Sequence, residues 1–222
     1  MQEFNKKLIE CRKCDRLVRF REEVSGRNSR YAGENFWSRP VPGFGDISGS
    51  ILVLGLAPAA TGGNRTGRVF TGDKSSDFLV SCLHEVGISN IPTSTSIDDG
   101  LEYYDTYITA VLKCVPPNDK PAGEEINNCS EYLEFEIDSM SNLKVVLTLG
   151  TVAHTGFNKY LRKKGFDTRG KKFVHGEVYD YGKFKEVCCY HPSPRNVNTG
   201  RLSRKQFIDV LWKVKHQANR FH

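Results

Sequence analysis

Three groups of residues carry side chains and spacings that could do chemistry. The first is a set of four cysteines. Cys11 and Cys14 form a CxxC on a short charged segment, while Cys114 and Cys129 lie far downstream. Four thiolates suit a tetrahedral zinc ion or a [4Fe–4S] cluster, with the CxxC chelating one side and the fold supplying the other pair. The competing reading is an incidental CxxC plus two core cysteines. Cys82, Cys188 and Cys189 fall in apolar contexts and read as small core residues.

The second group is the run GLAPAATGGNRTGRVFTGD at 55–73. It lacks the Gly-Lys-Ser/Thr of a Walker A loop and the G-x-G-x-x-G of a dinucleotide fingerprint. Its small residues, Gly55 and Ala57 among them, let backbone N–H groups approach a ligand. Phe70 stands among polar and glycine residues, where its ring either stacks on a base or anchors the loop by packing. Asp73 is either a reactive carboxylate or the N-cap of the helix that follows. The third group is His191-Pro192-Ser193-Pro194-Arg195-Asn196-Val197-Asn198-Thr199-Gly200-Arg201. Two prolines stiffen this loop, and Asn196, Asn198, Thr199 and Arg201 offer donors for phosphates or a base edge. A histidine at a strand end can be merely hydrogen-bonded, but one inside a proline-stiffened polar loop reads as functional.

These groups need elements to hold them. Ile51-Leu52-Val53-Leu54-Gly55 is a continuous apolar run, the pattern of a strand buried on both faces. Residues 107–112, 145–150 and 187–190 look similar. Helical periodicity falls between these runs. Phe78, Leu79, Cys82, Leu83 and Val86 share a face, and 123–140 and 151–163 are two further helices. A last apolar stripe runs through Phe207, Val210, Leu211, Val214 and Ala218, with Ser203 as its N-cap. Residues 25–50, rich in glycine and proline, read as ordered loop. Alternating strands and helices predict a three-layer α/β/α sandwich around a central four-stranded parallel sheet, spanning 1–222 as one domain. Ligands of such sheets bind at the carboxyl ends of the strands, where each candidate motif falls.

The bulk composition bounds the partners. The 222 residues carry 32 Lys and Arg against 26 Asp and Glu, a net charge of +6. That excess fits a polyanion without demanding one. No stretch approaches the roughly 20 apolar residues of a membrane helix, and the N-terminal segment lacks an apolar signal core. The expectation is an intracellular, cytoplasmic protein with no membrane partner, in which seven cysteines do not form a disulfide framework. A nucleic-acid-binding protein with a metal staple would explain charge and cysteines but leave the His191 loop without a purpose. An electron carrier would explain the cysteines alone.

Taken together, the motifs resemble the uracil-DNA glycosylase superfamily, and within it the family-five, or type B, branch. The resemblance rests on GLAPAATGGNRTGRVFTGD at 55–73, CVPPNDKP at 114–121, HPSPRNVNTGRLS at 191–203 and the four cysteines, and it spans nearly the whole chain. It implies a [4Fe–4S] cluster on Cys11, Cys14, Cys114 and Cys129, mainly structural. It implies His191 beside the uracil O2 oxygen, Phe70 stacked on a flipped base, and Asp73 as water activator. Gly55, Ala57, Asn118 and Asp119 are expected around the base. Arg195, Asn196, Thr199 and Arg201, with Asn64 and Arg65, are expected on DNA. The type B pattern usually has Asn directly before Lys-Pro, whereas here Asp119 holds that place and Asn118 precedes it. The implied activity is monofunctional excision of uracil, extending to hypoxanthine or xanthine, from double-stranded DNA and also from single strands, by a monomer that starts base excision repair.

Overall fold

The computed structural model describes residues 1–27 and 29–219. In chain order its helices and strands are α1 (Gln2–Ile9), α2 (Asp15–Glu23), β1 (Phe44–Gly45), β2 (Ile51–Gly55), α3 (Gly63–Thr66), α4 (Lys74–Glu85) and β3 (Thr106–Ala110). They continue with α5 (Gly123–Ser139), β4 (Val145–Leu149), α6 (Thr151–Lys163), β5 (Val178–Asp180), β6 (Lys185–Cys189), α7 (Pro194–Asn198) and α8 (Arg204–Asn219).

The apolar runs become the centre of one sheet of order β1-β3-β2-β4-β6-β5. The four middle strands, β3, β2, β4 and β6, are mutually parallel. The expected four-stranded parallel sheet is therefore present, but it is widened by one short antiparallel strand at each edge. β1 has two residues and β5 three, and both are partly exposed, so neither leaves an apolar run in the sequence.

Side-chain alternation sorts the core into two layers. Ile51 and Val53 of β2 face a cluster that includes Leu79 and Leu83 of α4 and Phe207 and Leu211 of α8. Leu52 and Leu54 face the opposite cluster, with Leu133 and Ile137 of α5 and Phe157 and Leu161 of α6. A helix layer thus covers each face, and the α/β/α sandwich follows. Cys82 and Cys189 are fully buried in the first cluster, as expected of small core residues. Ser203 caps α8 as expected. Its hydroxyl accepts from Gln206 N (3.2 Å), and Gln206 Oε1 accepts from Ser203 N (2.8 Å).

A third, smaller cluster joins Leu8 and Leu17 of the two N-terminal helices to Leu112, Cys129 and Tyr132. It docks the N-terminal segment beside the carboxyl end of β3. Pairing continues past that strand, with Val111 N donating to Gly55 O and Leu112 N to Leu56 O. Hence the apolar run extends to Leu112 although the regular strand stops at Ala110. Among the described residues no helix is long and apolar enough to cross a membrane.

Candidate active site

The loops after β2, β3 and β6 meet over the carboxyl end of the sheet and enclose a cleft of about 330 Å³. That volume lies within the range of small-ligand sites. Its walls include Ala57, Phe70, Asp73, Asp119 and His191, and Ala110 contributes to its lining from the end of β3.

His191 follows β6 by two residues. Its loop is fixed by its own side chains. The Asn196 amide donates to His191 O (2.8 Å), and the Ser193 hydroxyl accepts from Asn196 N as the cap of α7. The surrounding protein desolvates the ring and pushes its pKa down to about 4, so the imidazole is neutral near pH 7. A neutral ring can donate one hydrogen bond without carrying charge into the cleft.

The Phe70 ring lies 6.0 Å from the His191 ring, centroid to centroid, with the planes 28° apart. Phe70 has φ +46°, in the left-handed region that costs an aromatic residue strain. Gly55 makes room for it, since a Cβ there would come within 2.7 Å of Phe70 Cζ. This close approach explains a glycine at the end of an otherwise apolar strand.

Asp73 is the N-cap of α4 and also lines the cleft. Its Oδ1 caps α4, accepting from Ser75 N (2.8 Å) and Ser76 N (3.0 Å), while the Ser76 hydroxyl answers Asp73 N (3.0 Å). The other oxygen faces Gly62, where an added Cβ would stand 2.0 Å away. Burial pushes this carboxyl above the ordinary aspartate value, and the two serine N–H groups offset part of the rise.

The Pro117–Asp119 turn settles which of its polar residues faces the cleft. Asn118 and Asp119 both have φ +55°, a conformation Asn and Asp tolerate. Both are exposed, but only Asp119 lines the cleft.

The expected DNA contacts divide. Arg195 and Thr199 are exposed at the rim, and the Thr199 hydroxyl donates to Arg195 O (2.7 Å). The guanidinium of Arg201 lies 4.3 Å from the Tyr190 ring centroid. Asn64 departs from expectation. It is 1% exposed and its amide donates to Arg21 O (3.1 Å), so it has no path to a phosphate. Arg65 is largely spent inside its own loop, with Nε donating to Thr61 O and Nη2 to Gly72 O, and Nη1 pairing with Glu34. Asn64 is thus a buried strut of the loop, and Arg65 is mostly engaged within it.

The four cysteines converge. Cys11, Cys14, Cys114 and Cys129 line one pocket between α1, α2, the end of β3 and α5, beside Leu8, Leu17 and Tyr132. Each of three sulfurs accepts a hydrogen bond: Cys114 from Arg21 Nη1 (3.0 Å), Cys129 from Lys113 N (3.3 Å), Cys14 from Asn128 Nδ2 (3.7 Å). Such donors stabilise thiolates. Burial, only partly offset by Arg21 and Lys113, pushes the Cys114 thiol up to about 11 and the Cys129 thiol up to about 12, so a cationic group held between them would supply what deprotonation needs. Four thiolates lining one pocket are a donor set suited to a tetrahedral zinc ion or to a [4Fe–4S] cluster. Among the described residues, His154, Glu186 and Cys188 also bring ligand atoms within 4.8 Å of one another.

His154, Glu186 and Cys188 form a different arrangement. The imidazole pairs with Glu186 (2.8 Å), which also accepts from Thr148 and Tyr181. Burial would lower the His154 pKa, but Glu186 outweighs it and raises it. These bonds leave a satisfied buried network beneath β6.

Arg21 is the residue the sequence reading missed. It is almost fully buried and links Cys114 Sγ and Cys11 O to the amide of Asn64. Its signal was visible, because Leu17, Val18 and Arg21 fall on one helical face and all are buried.

Comparison with known proteins identifies what the chain is similar to. A family model described as the uracil DNA glycosylase superfamily matches residues 42–215. A type-5 uracil-DNA glycosylase of Thermus thermophilus is 44% identical over 97% of each chain. One of Pyrobaculum aerophilum is 44% identical over 97% of this chain and 92% of its own. A type-4 uracil-DNA glycosylase of Sulfurisphaera tokodaii is 29% identical over 95% of this chain and 83% of its own. The crystal structure of wild-type Pedobacter heparinus SMUG2 superposes with TM-score 0.50 at 15% identity, over 93% of this chain and 97% of that one, a likeness of fold alone.

Proposed function

The chain belongs to the uracil DNA glycosylase superfamily, and from that premise we propose that its cleft takes a uracil flipped out of duplex DNA and hydrolyses the N-glycosidic bond, with hypoxanthine and xanthine as further substrates. The observation that carries this reading is the meeting of His191, Phe70 and Asp73 in one cleft at the carboxyl end of the sheet.

Breaking the bond puts negative charge on the leaving base and positive charge on the sugar. The neutral His191 ring donates to a base oxygen and stabilises the anion as it forms. Phe70 offers a face on which the flipped base stacks. Asp73 uses one oxygen to cap α4 and has the other to orient water and favour the sugar cation. Flipping costs a few kcal/mol, least for a damaged or mismatched base, and this adds selectivity. Arg195 and Arg201 at the rim hold phosphates. Asp119 replaces an amide with an acceptor-only carboxylate, so the side chain can accept from a base N–H but cannot donate to a base carbonyl. Cys11, Cys14, Cys114 and Cys129 would hold a [4Fe–4S] cluster, whose contribution is to tie the N-terminal helices to the end of β3. No lysine in the lining of the cleft offers a Schiff base. The enzyme acts as a monomer, leaves an abasic site and so starts base excision repair.

The test is a side-by-side assay of purified protein on duplexes carrying uracil, hypoxanthine or xanthine, followed by alkali to cleave abasic sites. Strand cleavage at uracil is expected. Intact DNA for all three bases would sink the proposal. Borohydride trapping of a covalent adduct would refute the monofunctional part of it.

A further inference from the structure

Phe70 keeps a strained backbone, and something must hold it there. A residue in a sparsely populated conformation persists only where its surroundings over-determine it. The residues on either side of Phe70 show how. The Arg68 guanidinium is 3% exposed and reaches across the Val69–Phe70 segment to donate from Nε to Thr71 Oγ1 (2.9 Å). Its Nη1 and Nη2 pair with both oxygens of Asp99 (2.9 and 2.6 Å), and Nη2 also donates to the Ser94 hydroxyl (2.9 Å). Thr71 Oγ1 and Ser94 Oγ lie 2.7 Å apart, and Gly72 N donates to Ser94 O (2.8 Å). Asp99 is itself fixed, since it accepts from Thr95 N, Ser96 N and Leu101 N. Phe44 covers the guanidinium, its ring centroid 4.8 Å from Cζ.

We infer that Arg68, Thr71, Ser94 and Asp99 form a latch that positions Phe70 in the cleft, making them positioning residues for base capture. The bonds close a ring over the strained residue, with Arg68 on one side and Thr71 on the other. The partner segment, 94–101, lies outside the cleft lining. The latch thus fixes the loop from behind without touching a ligand. A bidentate arginine–carboxylate pair suits that task, because its fork geometry specifies orientation as well as distance. Neither Thr71 nor Asp99 lines the cleft, so an effect on excision must travel through the loop. The inference rests on the reading that Phe70 stacks on the base, and the experiment separates the two.

Thr71→Val removes the hydroxyl and keeps the shape, whereas Thr71→Ser keeps the hydroxyl. Single-turnover excision from a uracil duplex, for each variant alone and with Phe70→Ala, forms a double-mutant cycle. Thr71→Val should slow excision about tenfold, at the low end of what release of such strain supplies, and Thr71→Ser should restore most of the rate. With Phe70→Ala in place, Thr71→Val should add less than about a twofold loss, because the cycle then has nothing left to position. A second readout is independent of activity. 4-Fluorophenylalanine at position 70 should give one sharp 19F resonance in the native background and in Thr71→Ser, and a shifted or broadened one in Thr71→Val and Asp99→Asn. An unchanged 19F resonance in both variants would overturn the latch. So would an equal Thr71→Val loss with and without Phe70. A full rate for Phe70→Ala beside a shifted 19F resonance would support the latch and remove the stacking role instead.

Discussion

His191 is held neutral by its surroundings, and its pH behaviour follows. Its pKa in the folded chain is about 4, against an ordinary 6.5. The unfolded chain therefore binds the proton more readily between those values. Stability from this group is complete above about pH 6.5 and is lost as the pH falls toward 4. His191→Gln should flatten that part of a denaturation-against-pH profile, and excision by the native chain should show no His191 inflection between pH 6 and 8. A histidine inflection in that range, abolished by His191→Gln, would contradict the assignment. His191→Ala should slow excision by about 10²–10³, the usual loss for one donor aimed at a developing anion. Asp73 allows its two tasks to be separated. Asn caps helices nearly as well as Asp, whereas Ala does not. Asp73→Asn should keep the melting temperature within a degree or so but slow excision. Asp73→Ala should in addition lower stability by about 1 kcal/mol, or about 2–4 °C in a chain of this size.

At the scale of elements, the end of β2 and the buried start of the β3–α5 connection decide the geometry. Gly55→Ala should drive its Cβ into the Phe70 ring and slow excision more than it lowers stability, since the ring can move only by leaving its stacked position. Kinetics and a thermal melt on the same preparation check this. Lys113 and Glu136 form a wholly buried ion pair at 2.5 Å, with Thr109 (2.9 Å), Tyr107 (3.3 Å) and Gly43 N (3.2 Å) also donating to Glu136. Glu136→Gln leaves a buried ammonium without its counter-charge and should cost about 3–5 kcal/mol by chemical denaturation. The central strands were legible because four continuous apolar runs have few other readings in a chain of this length. The edge strands β1 and β5 were not, because two or three half-exposed residues carry no period.

For the whole molecule, the charge excess and the cysteine pocket lead to measurements on the intact protein. Arg195→Ala should lower the slope of log affinity against log salt by about one, as loss of a single phosphate contact does. An unchanged slope would take Arg195 off the DNA. Protein purified without oxygen should show broad visible absorbance. Cys14→Ala should lose that absorbance and melt earlier, because the cysteine pocket adds to the apolar cluster and to ion pairs such as Arg16–Glu125 in joining the N-terminal helices to the rest. Zinc in place of iron, by elemental analysis of such a preparation, would contradict the cluster.

The sequence by itself determined the layer architecture, the loops that line the cleft and the family. Apolar runs, helical periodicity and long specific motifs are local properties of a chain. It also presented each ambiguous residue with its alternatives, and only the tertiary structure chose between them. Asn64 and Arg65 look like DNA ligands in a string of polar residues, yet folding makes Asn64 a buried strut of the loop and engages most of Arg65 within it. Asp73 turned out to be a cap and a cleft carboxylate at once, because the helix start and the cleft wall are the same place. Asp119 rather than Asn118 reached the cleft through two successive left-handed residues. Asp99 lies 31 residues from Arg68, and no local pattern links them. Burial and long-range pairing arise from which distant segments meet, and that is settled only when the chain closes on itself.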